Sequence, residues 1–279
     1  MVFVVKRDGR REEFDRRKII RTCIRAGASR EIAEKIAKEV EKRVYDGMST
    51  EKILELVLSL LETYAFSSAA RYDLKMALLR LGPAGYEFEK FVARLLKEYG
   101  YKTETNALVH GKCAEHEIDV IAKKGERIYM IECKFHNLPG IYTGLKEVLY
   151  TYARFLDLKE GFEEGKHEFD FAFPWLFTNT KFSQDAKKFA VCRNILLTGW
   201  RYPRSESIEK LLERKGLYPV TVLRNLRKRE EEILINSGYV FCRDLLAVGM
   251  EEISGKTGIG MNTLKKLVEE SREVVRGNG

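Results

Sequence analysis

No apolar run in this chain approaches the roughly 18 to 20 residues needed to cross a bilayer. The start, Met1 to Arg11, is a short apolar stretch followed by charges rather than a signal peptide, so neither export nor membrane insertion is expected. The five cysteines (Cys23, Cys113, Cys133, Cys192, Cys242) are odd in number, widely spaced and form no CxxC pair. That excludes a disulfide framework and points to reduced thiols in a cytoplasm. His110, Cys113, His116, Cys133 and His136 fit no common zinc spacing. Glutamine occurs once, at Gln184, beside dense charges of both signs, a balance also found in heat-adapted proteins.

What is present is 44% hydrophobic and 33% charged residues over 279 positions, enough for real cores. At about 150 residues per domain the length suggests two domains and leaves room for three small ones. The net charge is +8, and residues 1 to 30 hold ten basic against four acidic side chains. The excess sits at one end, as a phosphate-binding module would have it.

Residues 2 to 5 and Glu12 to Phe14 read as short strands around an Asp8-Gly9 turn, and Asp15 as a helix N-cap. Apolar residues at helical spacing follow, with a cap at Ser49 or Thr50 and a last helix over Ala69 to Leu81. Gly82-Pro83-Ala84-Gly85 is a strong break. Beyond it the pattern predicts a helix over Tyr86 to Tyr99 and strands over Lys102–Val109, His116–Ala122 and Arg127–Phe135. It continues with a helix over Tyr142–Asp157, a strand over Phe171–Thr178, a helix over Gln184–Cys192 and a strand over Asn194–Thr198. This order implies a sheet covered by helices on both faces. The fold class is multidomain α+β: residues 1–82 a hairpin with helices, 83–203 an α/β domain, and 204–279 helical.

The sharpest constellation is Asp119 followed by Glu132-Cys133-Lys134. A hairpin turn centred on Lys124-Gly125 sets Asp119 opposite Met130 and Glu117 opposite Glu132. Period-two alternation then puts Asp119, Glu132 and Lys134 on one face, unless a bulge intervenes. Two neighbouring carboxylates call for a cation, and Mg²⁺ (or Mn²⁺) prefers such oxygens. A lysine beside them stabilises developing phosphorane charge. Glu89, at the edge of the preceding helix's apolar stripe, is a further acid near the sheet. Phe88-Glu89, Ile118-Asp119-Val120 and Ile131-Glu132-Cys133-Lys134, in this order of elements, resemble the PD-(D/E)xK nuclease superfamily and its Mrr-type restriction endonuclease branch. The resemblance implies a Mg²⁺-dependent DNA endonuclease core, with Asp119 and Glu132 as metal ligands and Asp119, Glu132, Lys134 and Glu89 as the catalytic set.

Lys6-Arg7-Asp8-Gly9-Arg10 gathers cationic donors on a tight turn, suited to polyphosphate. The string VVKRDGRREEFDRRKI, with Tyr45-Asp46-Gly47-x-x-Thr50, is similar to the ATP-cone, the allosteric nucleotide-binding module of ribonucleotide reductases and their repressor. This likeness implies ATP or dATP as an allosteric ligand, with Lys6, Arg7 and Lys18 on phosphates, Val4 near the base, and Glu12 and Thr50 lining the site. The remaining chain is too short for the reductase barrel. At the other end, Gly258-Ile259-Gly260 between two helices resembles a helix-hairpin-helix, whose backbone N–H groups hold DNA phosphate. Gly255-Lys256-Thr257 is no Walker A loop, because five rather than four residues separate Gly249 from Gly255.

The resulting expectation is a cytoplasmic, nucleotide-regulated, metal-dependent endonuclease whose partners are DNA and ATP or dATP, with self-association into a homo-oligomer. The alternative is a nucleotide-responsive DNA-binding regulator whose nuclease core is silent.

Overall fold

The basic turn at Lys6 to Arg10 closes because Gly9 takes φ +80°, letting Lys6 N–H bond Arg10 C=O at 2.8 Å. In the computed structural model, which describes residues 2–64, 68–69, 72, 74–81, 86–138 and 140–276, this turn joins β1 (Phe3–Val5) to β2 (Arg11–Glu13). A third strand, β3 (Met48–Ser49), pairs in parallel with β1 and gives the order β2-β1-β3. Asp15 caps α1 (Arg16–Arg25) by accepting from Arg17 N–H, as its residue type predicts. Helices α2 (Arg30–Arg43) and α3 (Thr50–Tyr64) follow, and of the two residues expected to cap α3, Ser49 accepts from Lys52 N–H at 3.2 Å. Ile19, Cys23, Ile36, Val40, Val57 and Leu61 bury into one core. Helix α4 (Leu74–Leu79) falls within the last expected helix, whereas the Gly82 to Gly85 break lies outside the described residues.

The chain forms two units: residues 1–77 together with 218–279, and residues 78–217. Within the first, the C-terminal part contributes α9 (Lys228–Asn236), α10 (Asp244–Ala247), α11 (Met250–Thr257) and α12 (Met261–Arg276). Arg224 pairs with Glu62 at 2.9 Å, and its backbone N–H donates to Glu270 at 3.1 Å.

The second unit holds α5 (Tyr86–Glu98), β4 (Lys102–His110), β5 (Glu115–Lys124), β6 (Arg127–Lys134), β7 (Tyr142–Thr143), α6 (Leu145–Glu163), β8 (Phe171–Thr178), β9 (Lys181–Phe182), α7 (Gln184–Cys192), β10 (Leu196–Thr198) and α8 (Ile208–Lys215). Its sheet runs β10-β8-β6-β5-β4, antiparallel across β4, β5 and β6 and parallel from β6 onward. Thr103 on one face donates to Ala93 C=O of α5. Ile121 and Met130, opposite one another on the other face, pack with Leu158 of α6. Helices therefore cover both faces. Helix α6 starts later than predicted, because Tyr142 and Thr143 pair with Lys181 and Phe182 as strands and Gly144 N–H is capped by Glu147 at 2.9 Å.

Candidate functional site

The β5–β6 hairpin turns at Gly125-Glu126, with Gly125 at φ +59°, so Lys124 pairs with Arg127 and Ile121 with Met130. The register predicted from a turn at Lys124-Gly125 is thus displaced by two residues, a shift that keeps every side chain on its face. A second departure lies at the site itself. Ile118 and Ile121 pack into one apolar cluster, which strict alternation would forbid, so alternation breaks around Asp119.

Asp119 is nevertheless brought to β6: its Oδ2 accepts from Cys133 N–H at 2.6 Å. Glu132, half-buried, forms an ion pair with Arg154 of α6, whose guanidinium also donates to Glu117 C=O. Burial pushes Glu132 up to about 7, the charge of Asp119 adds to the push, and Arg154 and Lys134 pull against it. Burial raises Asp119 as well, against the Cys133 amide and Arg154. Glu89 acts on Glu132 through space, and its Oε2 accepts from Asn106 Nδ2 at 3.0 Å. Lys134 is exposed and its positive charge reaches both Asp119 and Glu132. The four acid and lysine positions read from sequence therefore share one end of the sheet.

Two side chains there escaped the sequence reading. Arg154 is only 8% exposed, and the one signal for it was a charge at helical spacing among the buried positions Val148, Thr151, Leu158 and Gly161. Asn106 has no comparable signal, since its φ of +56° is visible only in the structure.

The donor set is carboxylate oxygen, which suits a hard divalent ion. Among the described residues no group of three or more His, Cys, Asp or Glu is gathered closely enough to hold a metal. Asp119 and Glu132 are the two carboxylates here that could take part in holding such an ion. His116 instead bonds Asp157 at 2.7 Å.

In the first unit, Val4 is buried between Glu12 and Met48 in neighbouring strands. Lys6 and Lys18 both form ion pairs with Glu12, whose carboxyl they hold below its usual range, Lys18 first. Arg7 pairs with Glu51 at 3.3 Å, and Thr50 opens α3 one residue after β3. Next to this cluster, Lys18, Arg21, Thr22, Ile24 and Arg25 line a groove of about 640 Å³.

At the C-terminal turn, Gly258 takes φ +70° and ends α11, while buried Ile259 offers its carbonyl to Ser254 Oγ at 2.9 Å. Gly260 C=O accepts from Thr263 and Leu264 as α12 begins. No helix among the described residues is long and apolar enough to cross a membrane.

Three family models match: an ATP cone domain over residues 2–77, a restriction endonuclease domain over 83–199 and an AF1548-like C-terminal domain over 218–275. An uncharacterised protein of Archaeoglobus fulgidus is 50% identical over 185 residues, 66% of this chain and 99% of its own length. A solved protein of unknown function, AF1548, matches at TM-score 0.61 and 49% identity, over 69% of this chain and 98% of that one. The transcriptional repressor NrdR of Caldicellulosiruptor bescii is 35% identical over 79 residues, 25% of this chain and 52% of the repressor.

Proposed function

Since this chain belongs to the AF1548-like family and carries an ATP cone and a restriction endonuclease domain, we propose that it is a metal-dependent DNA endonuclease regulated by ATP or dATP. The observation that carries the reading is the gathering of Asp119, Glu132, Lys134 and Glu89 at one end of the sheet. Asp119 and Glu132 would hold Mg²⁺ or Mn²⁺, which when bound lowers the pKa of a water and neutralises phosphate charge. Lys134, exposed beside them, meets the charge that develops on the scissile phosphate. Glu89, fixed by Asn106, accepts a hydrogen from the attacking water. Arg154 holds the Glu132 carboxylate in place from the helix side.

For the cone, Lys6 and Lys18 are positioned to exchange Glu12 for the phosphates of a nucleotide, with Arg7 adding charge, Val4 against the base and Thr50 lining the pocket. At the Gly258-Ile259-Gly260 turn the N–H groups of Gly258 and Ile259 are donated to Ser254 C=O and Thr257 Oγ1, so contact with DNA phosphate in the manner of a helix-hairpin-helix falls to Gly260 and the start of α12. Self-association and a cytoplasmic setting complete the reading.

One observation favours the alternative, a DNA-binding regulator with a silent core: Arg154 already supplies a positive charge to Glu132. Cleavage of labelled linear, branched and single-stranded DNA separates the two. Wild type and Lys134→Ala are compared in Mg²⁺ or Mn²⁺, with and without ATP and dATP. Cutting that needs metal and Lys134 and changes with nucleotide supports the nuclease; nucleotide-dependent binding without cutting supports the regulator.

A further inference from the structure

Across the β4–β5 ladder the pairs Thr105–Val120 and Ala107–Ile118 leave Asn106 opposite Asp119. At that position the strand takes φ +56°, a left-handed conformation that a non-glycine residue adopts at a cost of about 1 kcal/mol. Asparagine tolerates it better than most, but a strained residue inside a strand persists where surrounding structure or function requires it. The side chain supplies the second observation: Asn106 Nδ2 donates to Glu89 Oε2 at 3.0 Å and to Glu117 Oε1 at 3.3 Å. One NH₂ group therefore spans two carboxylates, one from α5 and one from β5, beside the strand position of Asp119.

The choice of amide has a physical reason. An amide NH₂ has two donors and no net charge. It orients two carboxylates without neutralising the negative potential that attracts a divalent ion. Lysine or arginine at this place would compete with that ion. Glycine would relax the backbone and remove the bridge between the two carboxylates.

We infer that Asn106 is a positioning residue of the metal centre: it holds Glu89 and Glu117 where they receive water ligands of an ion bound by Asp119 and Glu132. The inference rests on the nuclease reading of that site. A purely structural Asn106 is distinguishable, because glycine suits φ +56°, the relaxed backbone offsets part of the two lost hydrogen bonds, and a merely structural role would move melting and leave Mn²⁺ affinity alone.

The test compares wild type, Asn106→Gly, Glu89→Gln and the double variant by Mn²⁺ titration calorimetry, thermal melting and Mn²⁺-dependent cleavage. We expect Asn106→Gly to melt within a few degrees of wild type while losing about 10- to 100-fold in Mn²⁺ affinity or cleavage rate. In the Glu89→Gln background the same substitution should cost several-fold less than it does in wild type, because residues acting through one another are not additive and only the Glu117 contact is then left to lose. Wild-type Mn²⁺ affinity and cleavage in Asn106→Gly would overturn the inference, as would additive losses or a lowered melting temperature with unchanged affinity. A wild type that neither binds Mn²⁺ nor cuts would instead remove the nuclease reading and this inference with it.

Discussion

Asp119 reaches across to β6 and takes the backbone N–H of Cys133 at 2.6 Å, which fixes one carboxylate beside the residue that follows Glu132. Asp119→Asn keeps an acceptor for this bond and removes the charge. Its expected effect is a loss of metal-dependent cleavage of about a hundredfold or more, or ~2.7 kcal/mol of transition-state stabilisation. Melting should move by only a few degrees. Single-turnover assays on labelled DNA read the rate, and activity within a few-fold of wild type would remove Asp119 from the site.

Arg154 pairs with Glu132 in a buried setting and, with Lys134, opposes the burial and Asp119 charge that push its carboxyl up, so taking it away removes the partner that favours the ionised form. Arg154→Met should lower the stability of the metal-free protein by about 3–5 kcal/mol. Mn²⁺ should restore more stability to this variant than it adds to wild type, since it supplies the missing positive charge. Urea unfolding in EDTA and in Mn²⁺ measures both; equal gains would show that the ion and Arg154 do not share Glu132.

In the cone, the Lys18–Glu12–Lys6 arrangement gives a ligand two cations to capture. Lys18→Ala should weaken ATP and dATP binding about tenfold to a hundredfold, the worth of a charge-assisted hydrogen bond. Titration calorimetry checks this, and raised salt should narrow the gap between wild type and variant. Unchanged affinity would move the phosphates elsewhere.

Asp157 contributes to the acid limb of the stability curve in the second unit. Burial works to raise its carboxyl, but hydrogen bonds from His116 and from the Cys113 and Ala114 amides bring it down to about 2. An unfolded aspartate titrates near about 3.9, so this contribution is fully present above that pH and fades as pH falls from about 4 to about 2. Asp157→Asn should flatten the loss in this window. Melting temperatures at intervals from about pH 5 to about pH 2 give the comparison, and parallel curves would show that Asp157 does not carry the effect.

Strong periodicity was the most legible signal. Phe171–Thr178 and Gln184–Cys192 occupy the residues that their patterns predict. The strands Met48–Ser49, Tyr142–Thr143 and Lys181–Phe182 are two residues long, too short to alternate, and were invisible for that reason. The hairpin showed the same limit in another form. Composition marked Gly125 as its bend but could not tell whether Lys124 or Glu126 shared the turn, and Lys124 pairs instead with Arg127. The acids of the candidate site stood out because charges in apolar strands such as IDVIA and YMIECKF need a reason. Asn106, a polar residue in a polar stretch, needed none until its backbone was seen.

The Glu62–Arg224 ion pair joins residues made far apart in time. Every residue of the unit from 78 to 217 leaves the ribosome between them, an interval on the order of ten seconds. The unit from 78 to 217 therefore has all its own residues in hand before the unit that carries the cone receives its last helices. The domain that matches a restriction endonuclease is thus made whole before its neighbour is.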